Sequence, residues 1–246
     1  HRTKAYTEAH PDKPLIRLGI GDVTLPLSDI VLKALHEGVD EMGSSDTFKG
    51  YGPEQGYEKT RDAVAAYYKR NGVDVSADDI FISDGAKSDT GNITELFGHD
   101  NVILIPDPVY PVYVDSNTMC GNQITYISAN AENDFLPMPD HSQHVDVIYI
   151  CSPNNPTGAV YSKEVLLAIA EIARQHHLVI LADEIYDRMV MDGNVHTPVA
   201  SLAPDLFCVS MNGLSKSHRI AGFRVGWMVL SGPKHHVKGY IEGLNM

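Results

Sequence analysis

The hydrophobic positions of this chain fall into two alternating patterns. Between several short apolar runs the apolar spacing becomes helical, at 56–72, in the stretch after Gly85 and at 162–177. The runs themselves are almost continuously apolar or β-branched and lie at 79–83, 101–106, 123–128, 145–152, 178–183, 206–211 and 223–230. Strands that alternate with helices predict an α/β fold, with a mostly parallel sheet sandwiched by helices.

The helix expected at 162–177 has the clearest local signals. Ser162 is a good N-cap, and apolar residues at 165, 166, 169, 172 and 173 form one stripe that should face the sheet. In the helical segment at 56–72, Tyr67 and Tyr68 are interpreted as packing residues. Both segments therefore predict helices that cover the sheet.

The amino-terminal end differs from the rest of the chain. Pro11, Pro14 and Pro26 interrupt it, and no strand pattern is present before residue 28. We therefore expect residues 1–27 to form an extended arm outside the sheet and residues 28–246 to form the large domain.

Composition narrows the classes of function. The 32 acidic residues exceed the 19 basic ones, giving a net charge of −13 that would repel a phosphate backbone, so nucleic acid is not expected as a partner. The three cysteines lack metal-site or redox spacing, so we expect reduced thiols in a cytoplasmic protein and no metal. No run approaches the roughly 20 apolar residues that cross a bilayer, and no signal peptide is evident, so no membrane association is expected.

Polar residues follow several of the predicted strands, where α/β folds bind ligands. After "FIS", a helix that begins near Ala86 would present the free amides of Ala86 and Lys87 to an anion. After "VIYIC", the sequence "SPNNPTG" holds more turn-forming residues than a connection needs. It is either a rigid turn or a device that holds an asparagine amide for a ligand.

Charged residues in apolar surroundings strengthen the case for a site. Asp183 ends a strongly apolar strand, where a carboxylate is costly unless it is paired, although an aspartate here can also serve as a cap. Tyr186 follows three residues later and could reach the same space. Lys216 and Arg224 stand beside apolar runs, and a lysine in such a setting is suited to Schiff-base formation, although a single lysine is usually a solvated surface group.

One cofactor requires this whole set of residues. Pyridoxal phosphate needs a lysine for its aldehyde, a carboxylate for its ring nitrogen, donors for its phenolic oxygen, a phosphate cradle and an aromatic face. The residues that fill these roles in turn are Lys216, Asp183, Asn155 with Tyr186, Ala86 and Lys87 with Arg224, and an aromatic of "DPVYPVY". The sequence therefore predicts a pyridoxal-phosphate site.

The motifs "SPNNPTG", "DEIYD" and "GLSKSHRIAGFRVGW", in this order, resemble the class I/II aminotransferases of the fold-type-I pyridoxal-phosphate enzymes. The resemblance implies the roles just given and adds that Tyr110 stacks on the ring and Ser215 helps to hold the phosphate. Tyr51 matches a tyrosine that reaches the phosphate of a neighbouring subunit, which implies a homodimer with shared sites. The resemblance further implies that Gly21, Lys87, Tyr110 and Asn155 contact the substrate.

Two parts of the chain resemble different members of that family. The first ~150 residues, with "LGIGD", "GYGPEQGYEKTR" and "SDGAKSDTGN", are similar to LL-diaminopimelate aminotransferases. From about Cys151, "ADEIYDRMV" and "KGYIEGLNM" are more similar to bacterial alanine-type aminotransferases, so the chain reads as a mosaic joined near "SPNNPTG". The favoured substrates are LL-diaminopimelate with 2-oxoglutarate, as in lysine biosynthesis, and the alternative donors are alanine or other neutral or aromatic amino acids.

The resemblance also implies two departures from the family pattern. Family members continue past the position of Met246 into a small domain, which carries the arginine for the substrate carboxylate. Gly213 stands where many members have a phosphate-binding serine or threonine. Two other readings stay open. The same motifs also serve a pyridoxal-phosphate lyase, and the lack of the small domain motivates a non-catalytic cofactor-binding or dimerisation module.

Overall fold

A seven-stranded sheet forms the centre of the protein in the computed structural model, which describes residues 2–16, 23–138 and 144–246. The strand order across the sheet is β1-β7-β6-β5-β4-β2-β3. The strands are β1 (Ile80–Ser83), β2 (Val102–Asp107), β3 (Gln123–Ser128), β4 (Val147–Cys151), β5 (Val179–Asp183), β6 (Cys208–Gly213) and β7 (Gly226–Ser231). Each of the seven apolar runs contains or overlaps one of these strands.

Most strand pairs in the sheet are parallel. The pairs β2–β3, β2–β4, β4–β5 and β5–β6 are parallel, whereas β7 runs antiparallel to both β6 and β1. Because β1 and β6 both oppose β7, their carboxyl ends lie at the same edge as those of β4 and β5. The expected fold class, a mostly parallel sheet, is confirmed.

Helices flank this sheet. They are α1 (Arg2–Ala9), α2 (Asp29–Met42), α3 (Glu58–Arg70), α4 (Ala86–Asn92), α5 (Val112–Met119), α6 (Lys163–His176), α7 (Val199–Leu202), α8 (Leu214–Ser217) and α9 (Lys238–Leu244). Short 3₁₀ segments lie at Ala77–Asp79, Ile93–Leu96, Ala131–Asn133 and Ala221–Phe223. None of the helices in the described ranges is long and apolar enough to cross a membrane.

Alternate residues of the strands build two hydrophobic cores, one on each face of the sheet. Ile148 and Ile180 point to the core shared with α3 and α6, whereas Tyr149 and Leu181 point to the core shared with α4 and α5. The predicted stripe of α6 faces the first core, and all five of its residues are buried. Ser162 caps this helix as expected, since its hydroxyl accepts a hydrogen bond from the Val165 amide at 3.4 Å.

The amino-terminal region buries fewer side chains than the sheet domain. Residues 2–9 form helix α1, so this part of the predicted arm is helical rather than extended, because no proline occurs before Pro11. Residues 17–22 lie outside the described residues, and the division at residue 27 stays a prediction. Neither α1 nor α2 contains a buried residue.

Replacing Ile169 tests how much the α6 stripe stabilises the domain. Ile169 is 0% exposed, so Ile169→Ala should lower the free energy of unfolding by about 2–5 kcal/mol through lost burial and a residual cavity. Leu167→Ala on the same helix is the matched control, because Leu167 is 43% exposed and should cost less than about 1 kcal/mol. Urea unfolding followed by circular dichroism measures both, and equal losses would contradict this packing.

Candidate active site

The carboxyl ends of β1, β4, β5 and β6 converge at one edge of the sheet. The register places Cys151, Asp183 and Met211 side by side at the ends of β4, β5 and β6. Gly213 of β6 and Ser83 of β1 both pair with Gly226 of β7, which brings the turn after β1 to the same edge. The strand-end motifs selected from the sequence therefore share one region.

Asp183 is a buried carboxylate, with 6% of its surface exposed. Its oxygens accept hydrogen bonds from the Tyr113 hydroxyl at 2.5 Å and from the Ile185 amide at 3.0 Å. Burial raises the pKa of Asp183, and these two hydrogen bonds offset the shift in part. No lysine or arginine of the described residues forms an ion pair with it. A cationic ligand group at this point would supply the missing partner.

Tyr113 is a residue of the site that the sequence did not single out. It is 0% exposed, its ring stacks on Tyr149 with centroids 5.1 Å apart, and its hydroxyl donates to Asp183. Burial, with the nearby Asp183 charge, raises the pKa of Tyr113 well above its usual value, so it stays a donor. The motif "DPVYPVY" contains both Tyr110 and Tyr113, but spacing alone does not show which of them faces the carboxylate.

Asn155 and Lys216 both lie close to Tyr186, which is itself near the Asp183 charge. The Asn155 side-chain amide donates to the Tyr186 hydroxyl at 3.3 Å, and Lys216 Nζ lies 5.8 Å from the centroid of the Tyr186 ring. Burial is the main cause that raises the pKa of Tyr186, which keeps its hydroxyl protonated. Lys216 lies in the short helix α8 and is partly buried. A lysine amine and two neutral donors thus face one space.

The neighbouring Asn154 holds the "SPNNPTG" loop. It is 6% exposed, and its side-chain oxygen accepts hydrogen bonds from the Thr157 amide and hydroxyl at 3.3 and 3.0 Å. Ser152 accepts from the Tyr161 amide at 2.9 Å. Of the two adjacent asparagines, Asn154 fixes the loop, as the turn reading predicts, and Asn155 reaches Tyr186. That an asparagine amide of this motif donates to a ligand stays a prediction.

Arg224 lies over the turn between β1 and α4. A Cβ placed on Gly85 would come within 2.5 Å of Arg224 Nη2, and Gly85 has φ +129°, so glycine is required there for both reasons. A Cβ on Gly226 would lie 2.7 Å from the Ala86 nitrogen. The turn therefore places the first amide of α4 close to a guanidinium, which is suitable for an anion.

Gly213 ends β6 against the start of β7. A Cβ on Gly213 would lie 2.6 Å from the Val225 carbonyl oxygen, so a side chain could enter only if the backbone of β7 moved. The serine or threonine that the resemblance implies at this position would therefore not fit without a shift of that backbone.

The remaining predicted residues are placed differently. Tyr110 is partly buried near the site, with its ring centroid 6.0 Å from that of Tyr113, and Ser215 immediately precedes Lys216 in α8. Lys87 is exposed in the first turn of α4. Tyr51 has a fully exposed side chain, and no contact of it with the other site residues is described. Gly21 lies outside the described residues.

Comparison with known proteins gives a consistent set of relatives. An LL-diaminopimelate aminotransferase of Lachnospira eligens is 43% identical over 244 residues, covering 93% of this chain and 60% of that protein. The solved alanine aminotransferase from Pyrococcus furiosus is 28% identical with a TM-score of 0.88, covering 99% of this chain and 63% of that one. The LL-diaminopimelate aminotransferase from Chlamydomonas reinhardtii is 32% identical with a TM-score of 0.84, covering 99% and 64%.

These likenesses confirm the expected fold and both resemblances noted in the sequence. The chain spans about 60% of the length of the curated relatives it matches. Residues 13–243 match the protein family described as aminotransferase class I and II. Because that match extends over nearly the whole sequence, the chain belongs to the class I and II aminotransferase family.

Proposed function

We propose that this protein is a pyridoxal-phosphate-dependent aminotransferase, which moves an amino group from an amino acid to a 2-oxo acid. The observation that carries the proposal is the buried Asp183 carboxylate. It accepts two hydrogen bonds, but no lysine or arginine among the residues that the structure describes forms an ion pair with it. A protonated pyridine nitrogen is the kind of group that would neutralise it. Family membership supports the same cofactor.

The residues present fit this cofactor. Asp183 would face its ring nitrogen, Asn155 and Tyr186 its phenolic oxygen, and Lys216 its aldehyde. Tyr110, partly buried next to Tyr113, would cover the ring face. The phosphate would be held at the turn after β1, and the proposed groups there are Ala86, Lys87, Ser215 and Arg224.

Each side chain contributes a separate chemical function. When bound, pyridoxal phosphate supplies an electron sink for the charge that develops at the substrate Cα. Asp183 favours protonation of the ring nitrogen, because a buried negative charge stabilises a nearby cation. The Lys216 amine, once free, would take the proton from Cα as a general base and return it as a general acid. Asn155 and Tyr186 would orient the phenolic oxygen through their paired donors.

We propose LL-diaminopimelate as the amino donor and 2-oxoglutarate as the acceptor, which would place the protein in lysine biosynthesis. Curated LL-diaminopimelate aminotransferases at 38–43% identity over most of the chain support this choice. By resemblance, Gly21, Tyr51, Lys87 and Tyr110 favour a long substrate. Alanine is the second candidate donor, because the alanine aminotransferase from Pyrococcus furiosus has the same fold.

We also propose that the protein acts as a homodimer. Leu32, Val39 and Met42 lie on one face of α2, at 42%, 71% and 46% exposure, and α2 buries no residue. Tyr51, predicted to reach a neighbouring subunit, is fully exposed. A second copy that covers this face would bury these side chains and bring Tyr51 to its phosphate site.

We place the protein in the cytoplasm. Cys151 and Cys208 are free thiols in the core, which fits a reducing compartment. Fractionation of cells that produce the protein tests this, and recovery outside the cytoplasmic fraction would contradict it.

Replacing Asp183 tests whether its carboxylate binds the cofactor or only caps the end of β5. Asp183→Asn should weaken pyridoxal-phosphate binding by at least about tenfold, because a charged hydrogen bond worth about 1.5–3 kcal/mol is lost. Without cofactor the variant should be at least as stable at neutral pH. The raised pKa of the buried acid makes its ionisation oppose folding above the unfolded-state pKa, and asparagine removes this penalty.

Absorbance titration gives the affinity in this experiment, and thermal unfolding without cofactor gives the stability. Asp192→Asn, at an exposed carboxylate, is the control that should change neither quantity. Lower stability with unchanged cofactor affinity would show that Asp183 only caps the strand.

A side-by-side assay tests the proposed reaction. Amino transfer should require a 2-oxo acid, and kcat/KM should be higher for LL-diaminopimelate than for alanine, glutamate or tyrosine. Borohydride should fix the cofactor to Lys216, and Lys216→Ala should lower the rate by at least about 100-fold, the usual minimum for general acid–base catalysis. Lys163→Ala, at an exposed lysine of α6, should behave as wild type.

The other results of this assay correspond to the other readings of the sequence. A preference for alanine would replace the proposed donor, and release of ammonia and pyruvate without an acceptor would identify a lyase. Bound cofactor without any turnover would identify a non-catalytic module.

Sedimentation velocity tests the dimer. The cofactor-bound protein should sediment with twice the mass of the 27.0 kDa chain. Val39→Asp should shift it toward the monomer, because a charge would be buried in the contact. Glu37→Asp, on the same helix, is the control. A wild-type protein that stays monomeric at micromolar concentration would overturn the proposal.

A further inference from the structure

A chain of polar contacts runs behind Lys216, on residues that the proposed chemistry does not use. Asp187 follows Tyr186 and is 8% exposed. One of its oxygens, Oδ2, accepts hydrogen bonds from both the Tyr67 hydroxyl and the Asn212 side-chain amide, the latter at 2.9 Å. Tyr67 belongs to α3 and Asn212 to β6, so one carboxylate joins three separate elements.

Asn212 links Asp187 to the backbone at the start of the helix that contains Lys216. It is 2% exposed, and its side-chain oxygen accepts a hydrogen bond from the Gly213 amide at 2.7 Å. Gly213 is the N-cap residue of α8, the four-residue helix that contains Lys216. The side chain of Asn212 is therefore engaged at both ends, between Asp187 and the start of this helix.

Packing alone holds α8 weakly. None of its residues is buried, and it borders a pocket of about 310 Å³ that is lined by residues of α3, by Trp227, and by Asp187 and Asn212. The Leu214 amide also donates a hydrogen bond to the Val225 carbonyl at 3.0 Å, and the Ser217 hydroxyl donates one to the Gly213 carbonyl at 3.2 Å. A short helix with one open side depends on its polar contacts for its position.

We propose that Asp187 is a positioning residue for Lys216. Its carboxylate fixes the Tyr186 loop and, through Asn212 and Gly213, the start of α8, so it sets the distance between the Tyr186 ring and the Lys216 amine. Its consequence for catalysis rests on the proposed function, whereas the hydrogen bonds themselves join residues of the protein and need no cofactor. Tyr67 supports the carboxylate from α3, and the Arg188 guanidinium lies 4.9 Å from the Tyr67 ring centroid.

Because two donors share Oδ2, substitutions can be chosen that remove one or both of the hydrogen bonds to Asp187. Asp187→Asn can keep one oxygen acceptor at the same place, although it loses the charge that strengthens both hydrogen bonds. Asp187→Ala removes the acceptor and leaves the buried Asn212 amide and the partly buried Tyr67 hydroxyl without this partner. Tyr67→Phe removes one donor and keeps the contact between Asp187 and Asn212. The expected order of damage is therefore Asp187→Ala, then Asp187→Asn, then Tyr67→Phe.

The test measures the reactivity of Lys216 itself. Each variant is incubated with pyridoxal phosphate, quenched with borohydride at successive times and analysed by peptide mass spectrometry for the modified Lys216 peptide. Asp187→Ala should lower the modification rate at Lys216 about tenfold or more, Asp187→Asn about threefold, and Tyr67→Phe less. Modification of exposed Lys163 in the same samples should not change. In steady-state assays kcat should fall with the Lys216 rate while KM stays within about twofold.

A stability control separates positioning from general damage. Ile169→Ala destabilises the domain through the core under α6, and Ile169 takes no part in the polar contacts of Asp187. It should therefore leave the Lys216 rate at the wild-type value below the melting temperature of the variant. If Asp187→Ala does not fold, the Lys216 modification rates of Asp187→Asn and Tyr67→Phe are compared with the wild-type rate instead. Equal Lys216 rates in wild type and the Asp187 variants would overturn the proposal. Absence of amino transfer in wild type would instead refute the proposed function, because the labelling rates require no turnover.

Discussion

The buried carboxylate at the end of β5 is the constraint around which the site is organised. β5 lies between β4 and β6, and its last four residues are all buried, so Asp183 cannot turn its charge toward water without leaving the sheet. Tyr113 and the Ile185 amide donate to it, but within 2–16, 23–138 and 144–246 no lysine or arginine forms an ion pair with this charge. A buried, unpaired carboxylate costs several kcal/mol in desolvation. The site therefore favours ligands that place a cationic group next to Asp183.

The close approach of β1, β6 and β7 determines how an anion can be held next to that point. Gly85 and Gly226 allow the guanidinium of Arg224 and the backbone of the β1–α4 turn to meet. The same crowding excludes a side chain at Gly213. Phosphate recognition in this chain is therefore expected to depend more on backbone amides, Ser215 and Arg224 than on a hydroxyl at position 213.

The reverse side of the same strand ends carries a second polar layer. Alternation along the chain sends Asp183 toward the proposed cofactor, while Glu184 and Asp187 meet Tyr68 and Tyr67 of α3. Burial raises the pKa of Glu184 to about 8, with the nearby Asp187 charge contributing to the shift. The loop that holds Tyr186 is thus bound to the helix layer as well as to the sheet, which gives this edge of the sheet rigid support.

The sequence by itself determined the strands, the α6 stripe and the choice of Asp183, Tyr186, Lys216 and Arg224, because these depend on local periodicity and on a charge standing in an apolar run. It did not reveal that Tyr113 bonds Asp183, 70 positions away, or that Tyr67 bonds Asp187, 120 positions away. Tyr67 fits its helix pattern as an ordinary packing residue, and nothing local distinguishes Tyr113 from Tyr110. Only the tertiary structure decided these pairs, because the register of the sheet and the packing of α3 and α5 on it determine which distant side chains meet.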